Sequence, residues 1–206
     1  MSLFITFEGP EGSGKSSQSA ELYSWLVSRH IPAVLTHEPG GTVLGEKISD
    51  LLKWAQEAQL SPLTELLLFN ASRSQLVAEV IQPALNEGKI VICDRFFDST
   101  TAYQSYGRGL DLATVKRINS TAASGLAPDL TFLLDIAIEN GLERKSGEKL
   151  DRFEREDIEF HRKVRQGYHA LAASEPDRWT IIDACQPRDT IRRIIQDRVE
   201  SFLSDR

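Results

Sequence analysis

At 206 residues, with 41% hydrophobic and 26% charged side chains, the chain has the size and composition of a single soluble globular domain with a sizeable core. A net charge of −6 argues against a general binder of nucleic acid or of anionic membranes, since either needs an excess of Lys and Arg over its contact surface. The two cysteines, Cys93 and Cys185, lie far apart, each in or beside an apolar run, so neither a disulfide framework nor a zinc site is expected.

The N-terminal MSLFITFEG enters an apolar strand (3–8) without a basic leader, and no run approaches the ~18 apolar residues of a membrane span, so a cytoplasmic protein is expected. The strand ends at Glu8 and runs into Gly9-Pro10-Glu11-Gly12-Ser13-Gly14-Lys15-Ser16, which fits G-x-x-x-x-G-K-[ST] and stands between a strand and a helix (14–29). In such a loop the glycines let backbone N–H groups converge on phosphate oxygens and the helix N-terminus adds partial positive charge. Lys15 reaches the β- and γ-phosphates, and of the hydroxyls of Ser16 and Ser17 the first is suited to Mg²⁺. A purine nucleoside triphosphate with Mg²⁺ is the implied ligand. The D-x-x-G and N/T-K-x-D motifs of GTPases and the LSGGQ of transporters are absent, which leaves a small-molecule kinase as the leading class and a hydrolytic switch as its rival. Two carboxylates, Glu8 and Glu11, beside an anionic ligand are unusual.

A second strand (33–38) ends at Glu38 before Pro39, and helices are predicted over 43–57 and 61–86. The latter opens with Ser61 as N-cap and Pro62 at N1. Its apolar sector holds Leu66, Phe69, Val77, Val80 and Ala84, with Arg73 projecting from the middle. Phe69 and Arg73, one turn apart, suit a flat heterocycle; equally, they suit a core phenylalanine beside an arginine paired to a strand-end carboxylate.

The third strand (89–94) ends at Asp94, positioned like a Walker-B acid that holds Mg²⁺ through water or orients an acceptor. Arg95 follows as a phosphate clamp or as a simple partner of Asp94. Ser99, Thr100, Tyr103 and Gln104 add polar groups at near-helical spacing. A helix (111–124), a strand (130–135), the densely charged stretch 142–157, a helix (154–173), a strand (179–183) and a helix (187–203) complete the chain. By itself the charged stretch reads as a solvated surface loop. The alternation of strands and helices calls for an α/β fold with a parallel sheet covered on both faces, and its strand-end acids Glu8, Glu38, Asp94, Asp135 and Asp183 gather at the carboxyl edge.

Taken together, FEGPEGSGKSS, THEPGGTVLGEKI, NASRSQL, DRFFDSTTAYQ and LDRFE resemble the thymidylate kinase family along essentially the whole chain. The resemblance implies a P-loop NTPase-like five-stranded parallel sheet, one nucleoside monophosphate kinase domain over 1–206, a homodimer, and phosphorylation of dTMP by ATP with Mg²⁺. It implies that Phe69 stacks on thymine, Arg73 bonds its O4, and Thr100 and Gln104 meet the base from the other edge. Tyr103 crowds the ribose 2′ position, Arg95 holds the dTMP phosphate, Ser99 lies nearby, Glu8 approaches the 3′-hydroxyl, and the Glu38-Pro39 turn borders the acceptor. The charged stretch becomes a lid at about 142–154 whose basic residues, Arg144, Lys145, Lys149 and Arg152, stand in for an arginine that the phosphate loop lacks. Arg152, within LDRFE, is the first choice for the transition state and Arg144 the second; Glu11 marks the loop position where a cation is missing. Phe96 departs from the tyrosine or histidine of many members.

Overall fold

Five short runs of β-branched and aromatic residues form strands: β1 Leu3–Glu8, β2 Ala33–His37, β3 Ile90–Asp94, β4 Leu130–Asp135 and β5 Trp179–Asp183. In the computed structural model, which describes residues 2–54, 59–145, 147 and 149–204, they build one all-parallel sheet in the order β2-β3-β1-β4-β5. The helices are α1 Lys15–Ser28, α2 Val43–Trp54, α3 Pro62–Leu76, α4 Gln82–Asn86, α5 Phe97–Thr100, α6 Leu112–Ala122, α7 Ile138–Arg144, α8 Ile158–Ser174 and α9 Arg188–Ser204.

The central strand shows why both faces are covered. Leu3, Ile5 and Phe7 point to one layer, where Leu22 and Leu26 of α1 and Ile191, Ile195 and Val199 of α9 close a core. Phe4 points the other way, against Leu76, Val77 and Phe96. An apolar run buried on both faces is what a central parallel strand requires. The carboxyl ends of β1 and β3 then stand side by side, with Phe7 in register with Asp94.

Three elements differ from the sequence expectation. The helix expected over 61–86 begins as predicted, with Ser61 Oγ accepting from Thr64 N, but widens to a π-helical stretch at Val77–Ile81 before α4. Pro83 is the reason: it has no N–H to donate, and its ring would strike the carbonyl of residue 79 in an unbroken α-helix. The stretch read only as polar groups at near-helical spacing, 99–104, is helical, with α5 running into a second π-helical stretch, Thr101–Gly107. The charged stretch opens inside a helix, α7, and α8 starts only at Ile158, where the Asp157 carboxylate accepts from Phe160 N at 2.7 Å. Residues 55–57 of the second predicted helix, and 146 and 148 of the lid, lie outside the described residues.

Candidate active site

The phosphate loop leaves β1 and enters α1 through Gly14, so the first N–H groups of α1 have no helical acceptor and converge at the loop. Gly12, Gly14, Lys15, Ser16, Ser17, Asp94 and Arg144 line a cleft there. Gly9, Pro10 and Ser13 shape the loop behind them: Lys15 Nζ donates to Pro10 O at 2.7 Å and to Ser13 Oγ at 3.3 Å. Burial and the nearby Arg95 cation lower the Lys15 ammonium to about 8, against the pull of Glu11, Asp94 and Glu8. Ser16 Oγ donates to Asp94 Oδ2 at 2.5 Å, while Asp94 Oδ1 is buried with no hydrogen-bond partner among the described residues.

A second cleft lies beside the first. Glu38, Pro39, Phe69, Arg73, Arg95, Ser99, Thr100, Tyr103 and Gln104 line it, together with Phe96 and Phe153. The Phe69 and Phe153 rings are 5.5 Å apart, and Tyr103 meets Phe153 edge-on at 6.0 Å, giving the cleft aromatic walls. Arg73 is fully buried, and all of its N–H groups have protein acceptors. Nε and Nη2 grip Glu38, Nη2 also reaches Thr100 Oγ1 at 2.7 Å, and Nη1 donates to Asn70 and Asn119. Burial raises the Glu38 carboxyl, against Arg73. Gln104 Nε2 donates to the buried Glu65 at 2.7 Å, which leaves Gln104 Oε1 as a buried acceptor without a partner among the described residues.

The two clefts share Arg95, Glu11, Glu38, Lys53 and Lys145. Arg95 has φ of 69°, a backbone state that ordinary side chains adopt only at a cost. Its Nη2 donates to Glu11 at 2.6 Å, and its Nη1 to Ser99 Oγ and Tyr168 Oη, both at 3.0 Å, and to Gly9 O at 3.2 Å. Burial works to raise the Glu11 carboxyl, but the Arg95 and Lys15 cations and the Tyr103 hydroxyl at 2.8 Å outweigh it and hold the group at about 2. Glu8 is not brought to either cleft. It is fully buried, accepts from Phe96 N at 2.8 Å and Ser99 Oγ at 2.5 Å, and is pushed up to about 8 by burial and by Asp98, against Ser99, Arg95 and the Phe96 amide.

A phosphate loop facing an aromatic cleft across one arginine is the arrangement of a kinase for a flat-based acceptor, and the comparisons name it. The sequence profile of the family Thymidylate kinase matches residues 7–195. The chain belongs to the thymidylate kinase family. Thymidylate kinases of Dehalococcoides mccartyi and Roseiflexus castenholzii are 57% and 47% identical to it, covering 100% and 99% of this chain and 99% and 95% of their own. The crystal structure of thymidylate kinase from Ehrlichia chaffeensis superposes with a TM-score of 0.81 at 34% identity, covering 96% of this chain and 98% of that one. The family consists of phosphotransferases that act on dTMP with ATP.

Within this thymidylate kinase fold the two arginines of the expected lid part company. Arg144, at the end of α7, donates to Gly12 O at 3.3 Å and Ala184 O at 3.0 Å and lines the phosphate cleft. α7 lies directly on the loop, since a Cβ at Gly141 would stand 2.3 Å from Glu11 O. Arg152 lines neither cleft: its Nε donates to Leu52 O and its Nη2 lies 2.8 Å from Glu65. Lys145 lies 2.9 Å from Glu154, and Lys149 sits over the Trp54 ring at 4.7 Å. Of the strand-end acids, Asp135 pairs with Arg165 and Asp183 accepts from Cys185 N, so neither serves the clefts. Sequence reading missed Lys53, Phe153, Glu65 and Tyr168. Phe153 stands inside the LDRFE match, which was a usable signal. Glu65 in the first turn of a capped helix looks like any dipole partner, and Tyr168 like any helix core residue.

Proposed function

We propose that this chain transfers the γ-phosphoryl group of ATP to the phosphate of dTMP across the junction of the two clefts. The observation that carries the reading is that both clefts open onto the same guanidinium, Arg95. On the donor side Gly9 to Ser17 cradle the polyphosphate, with Lys15 exchanging its contact to Pro10 O for a phosphate oxygen. On the acceptor side thymine lies against the aromatic wall that Phe69 and Phe153 form together. The unpartnered Gln104 Oε1 accepts from the base N3–H, and Glu65 fixes the amide in that orientation. Arg73, its donors already engaged, holds Thr100 so that the threonine hydroxyl reaches the O4 edge. Tyr103 borders the ribose, and Glu38 and Pro39 close the cleft. The acceptor phosphate is already ionised at neutral pH, so positioning and charge neutralisation carry the reaction without a strong base.

Ser16 and Asp94 fit a Mg²⁺ ion: a hydroxyl and a carboxylate meet beside the loop, and one buried carboxylate oxygen lacks a partner. Few protein ligands are what Mg²⁺ bound to phosphates asks for, and the ion when bound supplies neutralisation of phosphate charge. Among the lid residues of the segment 142–154, Arg144 rather than Arg152 is the cation for the transferring group, because it already lies on the loop. Exposed Val43, Leu44 and Leu51 on α2, with Leu63 and Leu67 on α3, form the face on which a homodimer closes. No helix among the described residues is long and apolar enough to cross a membrane, in keeping with a cytoplasmic setting.

A coupled ADP-release assay with ATP and a panel of dTMP, dUMP and dGMP tests the reading. Release should require dTMP and stop when EDTA removes divalent ions. Release indifferent to every acceptor would replace the kinase with a hydrolytic switch.

A further inference from the structure

Arg95 is held from behind by two hydroxyls. Its Nη1 has two hydrogens and three acceptors, Ser99 Oγ, Tyr168 Oη and Gly9 O, while Nη2 meets Glu11. Among the described residues Nε makes no hydrogen bond and Nη2 makes one, so the Nε–Nη2 side of the planar guanidinium keeps donors for a phosphate oxygen. The Nη1 end is anchored in protein.

Ser99 is itself fixed by Glu8 and lies 2.7 Å from the Tyr168 oxygen. Tyr168 comes from α8, seventy-three residues along the chain from Arg95. It is fully buried in a core cluster with Leu133, Phe160 and Val164. Burial pushes its hydroxyl far above the ordinary range, so it remains a neutral donor and acceptor at any working pH. The preceding residue is Gly167, where a Cβ would stand 2.8 Å from the Tyr106 ring. Its bareness lets α8 come close enough for the next side chain to reach the end of β3. Tyr168 lines neither cleft, so it has no contact with either substrate to explain a polar group at this depth. A phenylalanine would fill the same space.

We propose that Tyr168 is a positioning residue for the acceptor phosphate: with Ser99 it pins the Nη1 end of Arg95 and so presents the Nε–Nη2 side to dTMP. This rests on the reading of Arg95 as the phosphate clamp. A fork on a long flexible stem needs such a brace, because Glu11 and Gly9 O tie it to the phosphate loop alone.

The test is Tyr168→Phe in the full chain, which keeps the ring and its packing. The KM for dTMP should rise about tenfold, as for a lost hydrogen bond to a charged group. The KM for ATP and the affinity for thymidine, which lacks the phosphate, should stay within about twofold, which also shows that the base cleft is intact. In an Arg95→Ala background the same change should add nothing further. Equal weakening of dTMP and thymidine would reduce Tyr168 to a packing residue and overturn the proposal. So would an unchanged KM for dTMP in Tyr168→Phe beside a large rise in Arg95→Ala. If Arg95→Ala itself left dTMP unaffected, the clamp reading would fail first and the brace with it.

Discussion

Glu11, inside the phosphate loop and 2.6 Å from Arg95 Nη2, gives an acid a reason to stand beside a polyphosphate. It ties Arg95, the proposed phosphate clamp, to the phosphate loop, so the two clefts are linked through an ion pair. Its carboxyl sits near 2 in the folded chain against an ordinary 4.5, so the stabilisation it contributes is full above pH 4.5 and is lost as pH falls through about 2. The gap in Tm between the wild type and Glu11→Gln should therefore be widest at neutral pH and narrow steadily as pH drops below about 4.5. A gap that does not change with pH would show that the ion pair contributes nothing and that only packing was altered. From the sequence, Glu11 looked like a vacancy for a cation. Its partner is eighty-four residues away, beyond the reach of any local pattern, whereas Lys15 bonds to Pro10 and Ser13 within the loop motif that the sequence already displays.

The secondary-structure elements show the same division between local and distant causes. All five strands stand where β-branched runs placed them, and the caps at Ser61 and Asp157 are local chemistry. The near-helical spacing of Ser99, Thr100, Tyr103 and Gln104 was legible and all four line one cleft, but the π-helical form of Thr101–Gly107 was not, because a search at 100° per residue does not register the wider turn. α7 escaped as well, hidden at the edge of a charge run. Its contact with the loop makes a testable pair of variants. Arg144→Ala should lower kcat by roughly 10³-fold, the scale of a lost arginine finger, while Arg152→Ala, paired with Glu65 outside both clefts, should lower kcat by less than about tenfold and reduce Tm. The reverse ranking would restore Arg152 as the transition-state residue and mean that the lid rearranges on closing. Gly141→Ala should raise the KM for ATP, since its Cβ would press on Glu11 O and push α7 from the loop. An unaltered KM would mean that the helix shifts without disturbing the phosphates.

At the scale of the whole molecule, the order β2-β3-β1-β4-β5 brings the ends of β1 and β3 together and so makes one site from segments near residues 10, 38, 70, 95 and 150. The α2 and α3 pair that closes the acceptor side, through Lys53 and Phe69, also turns apolar side chains outward. Val43 is 80% exposed, and Leu63 and Leu67, one turn apart, are each 50% exposed. A second copy of this face is the partner that the homodimer reading supplies, and a two-fold contact would place each residue against its own equivalent patch. A charge at the centre of such a contact would stand close to its symmetry mate without water to screen either. Leu67→Glu should therefore convert a dimer to a monomer in sedimentation velocity at micromolar concentration. It should also raise the KM for dTMP, because α3 carries Phe69 two residues further on and loses its outer support. A wild-type chain that sediments as a monomer at the same concentration would remove the dimer and leave the apolar face without a partner.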